Sequence, residues 1–236
     1  MENKEEKKEK AMTFIGHLEE LRKRIIVILA ALVVAFGAFY PFKSRILAIF
    51  TKPLVNKELV FLDITEPFLV NVKLAFMAAV IVIMPLLIFQ ILAFLFPAFN
   101  ERLKKRVVLI GILFFILFYG GIVFSYYFLI PVALKWLLSQ GAGLTQTLSV
   151  SKYISIIGWF LIGTGIVFEL PLILLFLIKL NILTVKQLRR QWRVAYIVIL
   201  VICAIITPDW SPVTMALLAA PMILLYELSL LLARIV

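Results

Sequence analysis

Two carboxylates stand where their chemistry would matter. Glu169 is the one charge in the apolar run 154–178, two residues before Pro171. A charge at that depth costs about 2.5–3.5 kcal/mol on insertion scales, so an ionisable residue inside a span by default faces a cavity or a partner. The structural alternative is a carboxyl bonded within the bundle, to Gln90 or to a hydroxyl such as Thr164. Glu20 lies in Phe14-Ile15-Gly16-His17-Leu18-Glu19-Glu20-Leu21-Arg22-Lys23-Arg24, the last polar stretch before the chain turns apolar. Read from residue types alone, this is a charged collar. Arg22, Lys23 and Arg24 hold the end of a first span at the surface. Glu20 pairs with Arg24 at i,i+4, contributing about 0.3–0.5 kcal/mol. Enzyme chemistry finds no constellation. There is no phosphate-cradling glycine loop, and His17 is the single histidine, which excludes a His-Glu-x-x-His motif or a two-histidine metal site. Asp63 and Asp209 fall in polar connections, not in spans, so paired-aspartate intramembrane proteolysis fails too. No enzyme activity, metal or cofactor is expected.

The elements that must position these residues follow from composition. The chain has 236 residues, 64% of them hydrophobic and 16% charged, with a mean hydropathy of +1.12. A soluble domain runs at about 45–50% apolar and about 25% charged, so this is an integral membrane protein and lipid is its solvent. The net charge of +11 does not imply nucleic acid, because the basic residues sit in short runs between apolar spans. Cys203 is the one cysteine and lies inside an apolar run, which leaves no disulfide framework.

An all-α polytopic fold of six spans is expected, as a single membrane domain over residues 1–236. The spans are placed at 25–40, 69–96, 107–130, 154–178, 194–207 and 213–233, and prolines 41, 97, 131 and 208 end four of them. Residues 1–12, rich in Glu and Lys, read as a disordered lead-in. Residues 13–24 read as an interfacial helix: Phe14, Leu18, Leu21 and Ile25 share one stripe that meets lipid, while Glu20, Lys23 and Arg24 meet water. The fifth run covers only about 21 Å at 1.5 Å per residue, and Glu227 shortens the uncharged part of the sixth. A locally thinned membrane is expected there.

Six spans put both termini on one side, and most of the 24 Lys and Arg residues fall on that side, which makes it cytoplasmic. The segment 41–67 stays rich in Leu, Ile, Phe and Val and reads as a cap over the helix ends, whereas 139–151 reads as an ordinary loop. Pro85, Pro171 and Pro221 fall within spans. Either they kink three helices around a concave face, or they are simply tolerated. Gln90 reads as interhelical glue, and Glu227 as a partner for Arg234 or a loop cation.

The sequence resembles the TatC family of the twin-arginine protein translocase over nearly its whole length. The motifs that carry the resemblance are His17-Leu18-Glu19-Glu20-Leu21-Arg22-Lys23-Arg24 and Glu66-Pro67-Phe68, with Phe94-Leu95-Phe96-Pro97-Ala98, Phe168-Glu169-Leu170-Pro171 and Thr207-Pro208-Asp209. The resemblance implies a receptor in the cell inner membrane that recognises twin-arginine signal peptides of folded cargo proteins at the cytoplasmic face. It implies assembly with TatA- and TatB-like single-span proteins and with copies of itself, and export driven by the proton-motive force. It assigns Glu20 to the signal-peptide site, with a second carboxylate from the first cytoplasmic loop. Family members commonly place that Glu directly before a basic pair. This chain reads Asn100-Glu101-Arg102-Leu103-Lys104-Lys105, and Glu101 is the loop's one carboxylate. Two adjacent arginines want two carboxylates, since each guanidinium presents a fork that a carboxylate accepts. Glu169 matches the family's intramembrane Glu, for which the resemblance implies contact with a polar group of a partner helix. The rival reading is a small secondary transporter or proton channel that uses Glu169.

Overall fold

The computed structural model describes residues 2–54, 58–95, 101–141, 147–179, 183–207 and 211–235. Helix α1 runs unbroken over Glu2–Phe39. The stretch expected as a disordered lead-in, the interfacial helix and the first span are therefore one rod, about 57 Å long. Its first turns are rich in Glu and Lys, which favour helix in water as well as at an interface. Pro41 ends it through a 3₁₀ turn, Tyr40–Phe42, which redirects the chain into α2, Lys43–Thr51.

A short strand β1, Leu59–Val60, follows, and then α3, Glu66–Leu95, which carries Pro85 inside it. The entry to α3 is shaped by Asp63, whose Oδ1 accepts from the Thr65 N–H at 2.9 Å. Helix α4, Glu101–Phe124, passes through a π turn, Ser125–Leu129, into α5, Ile130–Gln140. Pro131 thus does not end the third span as expected. Proline lacks an N–H and crowds the carbonyl four residues back. The wider π turn accommodates it, with the Ile130 N–H bonding back five residues to Ser125.

Strand β2, Leu148–Ser149, leads into α6, Val150–Val167; the fourth span then breaks at Phe168 and Glu169 and resumes as α7, Leu170–Lys179. Pro171 cannot donate to Val167, so the ladder is cut where a carboxylate also sits. Helix α8, Val185–Arg190, starts from a capping box in which Thr184 and Gln187 satisfy each other's backbone donors. Helix α9, Trp192–Ile206, and α10, Pro212–Ile235 with Pro221 inside it, complete the chain. Five helical stretches are long and apolar enough to cross a membrane, and the shorter α9 is the sixth apolar helix. This is an all-α, six-span polytopic protein.

Helix α3 is the axis of the packing, with α1 on one side and α6 on the other; α4 covers α6, and α10 packs on α7 and α9. Leu74, Ile154, Ile157 and Phe160 are fully buried where these helices meet. Gly158 lets α6 approach α3: a Cβ there would come within 2.1 Å of Met77 Sδ. Segment 41–67 does fold over the helix ends. The Ile49 and Phe50 carbonyls of α2 accept from the hydroxyls of Tyr126 and Tyr153, at 2.8 and 2.9 Å. The connections that carry β1 and β2 are stitched by these strands, which pair in parallel with Leu59 opposite Leu148 and Val60 opposite Ser149.

Candidate functional site

Glu20 and Arg24 sit one turn apart on α1, and the face they share turns toward α3. Arg24 Nε and Nη2 both donate to Glu20 Oε1, at 3.1 and 2.5 Å, and Arg24 Nη1 donates to Gln90 Oε1 at 2.9 Å. The i,i+4 pair expected from the sequence is present, and Gln90 joins two helices as expected, through Arg24. The expected orientation holds in part: Leu18 and Ile25 are about half exposed on the outer surface of α1, as a lipid-facing stripe requires, and Lys23 is exposed, but Glu20 and Arg24, expected to meet water, are half-buried together with Leu21. An arginine stem can lie along an apolar neighbour while its head finds polar partners, so the polar pair takes the inner face and the aliphatic residues take the lipid. Glu19 and Lys23 form a second pair at 3.2 Å, fully on the surface, and Arg22 is exposed. Glu101 is the first residue of α4. Its side chain, with those of His17 and Arg234, lies outside the described residues.

Glu169 occupies the break between α6 and α7. It is 5% exposed, its carboxyl comes near the Phe118 backbone of α4, and neither oxygen has a hydrogen-bond partner among the described residues. The internal bonds considered from the sequence are therefore absent. Gln90 is engaged by Arg24, and Thr164 Oγ1 is itself buried without a partner, as is Ser125 Oγ. In a low-dielectric interior an unpaired polar group costs about 1–3 kcal/mol, and buried exceptions of this kind concentrate at functional places. Gly121 of α4 is packed against the Thr164 carbonyl and the Phe168 ring, which closes α4 onto the seam beside the carboxylate. On the other side of the break lies an apolar cavity of about 220 Å³, walled by Pro171, Leu174, Ile199 and Met222.

A third polar centre had no role assigned from the sequence. Glu66, at the first turn of α3, is 5% exposed. Its Oε1 accepts from Ser149 Oγ at 2.5 Å and from the Ser151 N–H at 2.7 Å, and its Oε2 accepts from the Leu62 N–H at 2.6 Å. Two turns further along α3, Lys73 Nζ donates to Ser151 Oγ at 2.7 Å and to Ser155 Oγ at 2.9 Å. One face of α3 thus grips the first turn of α6 with a carboxylate and an ammonium. The signal was readable as the i,i+7 spacing of Glu66 and Lys73 on a helix, opposite Ser151 and Ser155 at i,i+4. Segment 139–151 is accordingly more than an ordinary loop. Glu227 accepts from the Tyr196 hydroxyl at 2.8 Å; the side chain of Arg234, its expected partner, lies outside the described residues.

The described residues hold no cluster of metal-ligating side chains. What the fold arranges is a set of carboxylates in a six-span membrane bundle, Glu20 and Glu66 held by hydrogen bonds and Glu169 unpartnered at a helix break among the described residues. That arrangement suits recognition and assembly. Comparison with known proteins agrees. The family described as Sec-independent protein translocase protein (TatC) matches residues 16–221. A TatC from Koribacter versatilis is 35% identical over 228 residues, covering 93% of this chain and 84% of that protein. One from Carboxydothermus hydrogenoformans is 33% identical over 231 residues, covering 97% and 95%. The crystal structure of a twin-arginine translocase receptor, TatC, in DDM superimposes with a TM-score of 0.80 at 32% identity, covering 92% of this chain and 99% of that one. The chain belongs to the TatC family of Sec-independent protein translocases, a family of multi-pass membrane proteins that transport protein and are not enzymes.

Proposed function

We propose that this chain is the signal-peptide receptor subunit of a twin-arginine translocase, with both termini in the cytoplasm. Glu20 and Glu101 bind the paired arginines of a folded cargo's signal peptide at the cytoplasmic face. The apolar part of that peptide then lies along the concave side of the kinked bundle. Glu169 receives a polar side chain from a TatA- or TatB-like single-span partner, and the assembly exports cargo at the expense of the proton-motive force. The observation that carries this reading is the bound state of Glu20. Two nitrogens of one guanidinium already converge on its Oε1, which is the chemistry an incoming arginine would exchange into. Connectivity supports a second carboxylate nearby, because Gln90, tied to the same Arg24, precedes Glu101 by a short stretch of chain. The unpartnered Glu169 supports the partner contact.

The test is binding of a twin-arginine signal peptide to the purified protein, beside a twin-lysine version, in the native chain and in Glu20→Ala and Glu101→Ala. The expected result is a clear preference for arginine that both substitutions erode. Solute flux by the chain reconstituted alone, abolished in Glu169→Gln, would instead establish the transporter reading.

A further inference from the structure

A second cavity, of about 390 Å³, lies between α2, α3, α4, α6 and the π turn, and neither Glu20 nor Glu169 lines it. Its deep walls are Ile81, Ile122 and Leu161. Its mouth carries Lys52, Val123 and Tyr127, all exposed, with Tyr127 66% and Val123 54% accessible. The cavity therefore opens sideways from the bundle, and in a bilayer that side is lipid. Leu161 lies about 17 Å along α6 from Val150 at 1.5 Å per residue. That is about half of the ~30 Å hydrocarbon core, so the inner wall of the cavity lies about one leaflet's thickness from the start of α6. A partner helix is too wide for it: at about 10–12 Å across, a leaflet's depth of helix would displace on the order of 1,000 Å³. A single hydrocarbon chain is not.

The polar groups are confined to the end under α2. Tyr126 is committed there, its hydroxyl bonded to the Ile49 carbonyl. Lys52 Nζ makes no ion pair or hydrogen bond among the described residues, and Lys52 and Tyr127 both line the cavity. An ammonium at the level of the headgroups, above an apolar slot, is complementary to one molecule: a phosphate on a long acyl chain. The π turn contributes Tyr126 and Tyr127 to this wall, and π turns recur where a helix is locally widened for a ligand. We propose that the slot binds one phospholipid of the leaflet on the α2 side, with an acyl chain between Ile81, Ile122 and Leu161 and the phosphate at Lys52.

The test is native mass spectrometry of the purified full chain, released from detergent after incubation with phosphatidylglycerol, with phosphatidylcholine, or with glycerophosphoglycerol as a chain-free headgroup. The expected result is one retained lipid per chain, with phosphatidylglycerol preferred and no retention of the chain-free headgroup. Lys52→Glu should lower phosphatidylglycerol retention by about fivefold, from the ~1 kcal/mol that one basic residue contributes near an anionic lipid. Val123→Trp, which fills the mouth, should abolish retention. Lys52 is exposed, so its variant should fold even if Val123→Trp does not, and unchanged retention in folded Lys52→Glu overturns the proposal. So does a photoreactive residue at position 123 that labels protein and not lipid in native membranes.

Discussion

Arg24 on α1 and Gln90 on α3 meet through an Nη1–Oε1 hydrogen bond of 2.9 Å, although 66 residues separate them in sequence. The same guanidinium holds Glu20, so a residue on the first helix is positioned by a residue on the second. The Arg24–Gln90 contact should show a coupling of about 0.5–1.5 kcal/mol in a double-mutant cycle with Arg24→Ala and Gln90→Ala, read from denaturant unfolding in detergent. A coupling of zero would mean that α1 and α3 pack by their apolar residues alone. Arg24→Lys should lose part of the effect, because a point charge cannot span Glu20 and Gln90 together.

Glu169 predicts an inverse relation between stability and assembly. Removing an unpaired buried carboxyl relieves a cost of about 1–3 kcal/mol. Glu169→Leu should therefore raise the thermal midpoint of the isolated chain while weakening co-purification with a single-span partner. A variant that loses stability would show that the carboxyl is satisfied in the native membrane by a group of this same chain.

Glu66 should matter to folding at a place remote in sequence from Glu20 and Gln90. Glu66→Ala strips hydrogen bonds from Leu62, Ser149 and Ser151 at once, and a loss of about 3 kcal/mol or more is expected. Hydrogen exchange would locate it: the Leu62 and Ser151 amides should exchange faster, while the amides around Gln90 should not. Lys73→Met should have a smaller effect, on Ser151 and Ser155 only.

Gly158 predicts a rescue. Gly158→Ala places a methyl against Met77 Sδ and Cε, which should cost about 1–3 kcal/mol by overpacking. Pairing it with Met77→Ala should recover most of that loss, because the obstacle is a side chain and not backbone.

The span pattern was legible because lipid imposes it. Apolar runs of the right length announced the crossings, and Pro41 and Pro171 interrupt helices as their chemistry requires. Pro131 was misleading, since a proline reads as a stop unless one knows that the preceding turn has widened. The charged collar was legible as a pair, and periodicity put Leu18 and Ile25 on the outward stripe where they are found. That Glu20 and Arg24 turn inward was not legible, because the group that draws Arg24 in, Gln90, lies 66 residues away. The Glu66–Lys73 grip was legible only in half, as two charges seven residues apart on one helix face. Its partners are serines more than 75 residues away, and no local rule joins a helix start to a distant loop.

The π turn also acts as a phase shifter. One extra residue per turn rotates everything after it by about 100° relative to a regular helix. Leu129 still follows Ser125 at i+4, but the buried series then continues as Ile130, Ala133 and Leu134, one position later than unbroken α periodicity from Phe118 and Ser125 would bring it. Deleting a single residue between 125 and 129 would let the turn close as regular α-helix and would keep Ala133 and Leu134 on the inner face. Forcing a regular helix through the same residues at unchanged length would instead swing both out to lipid.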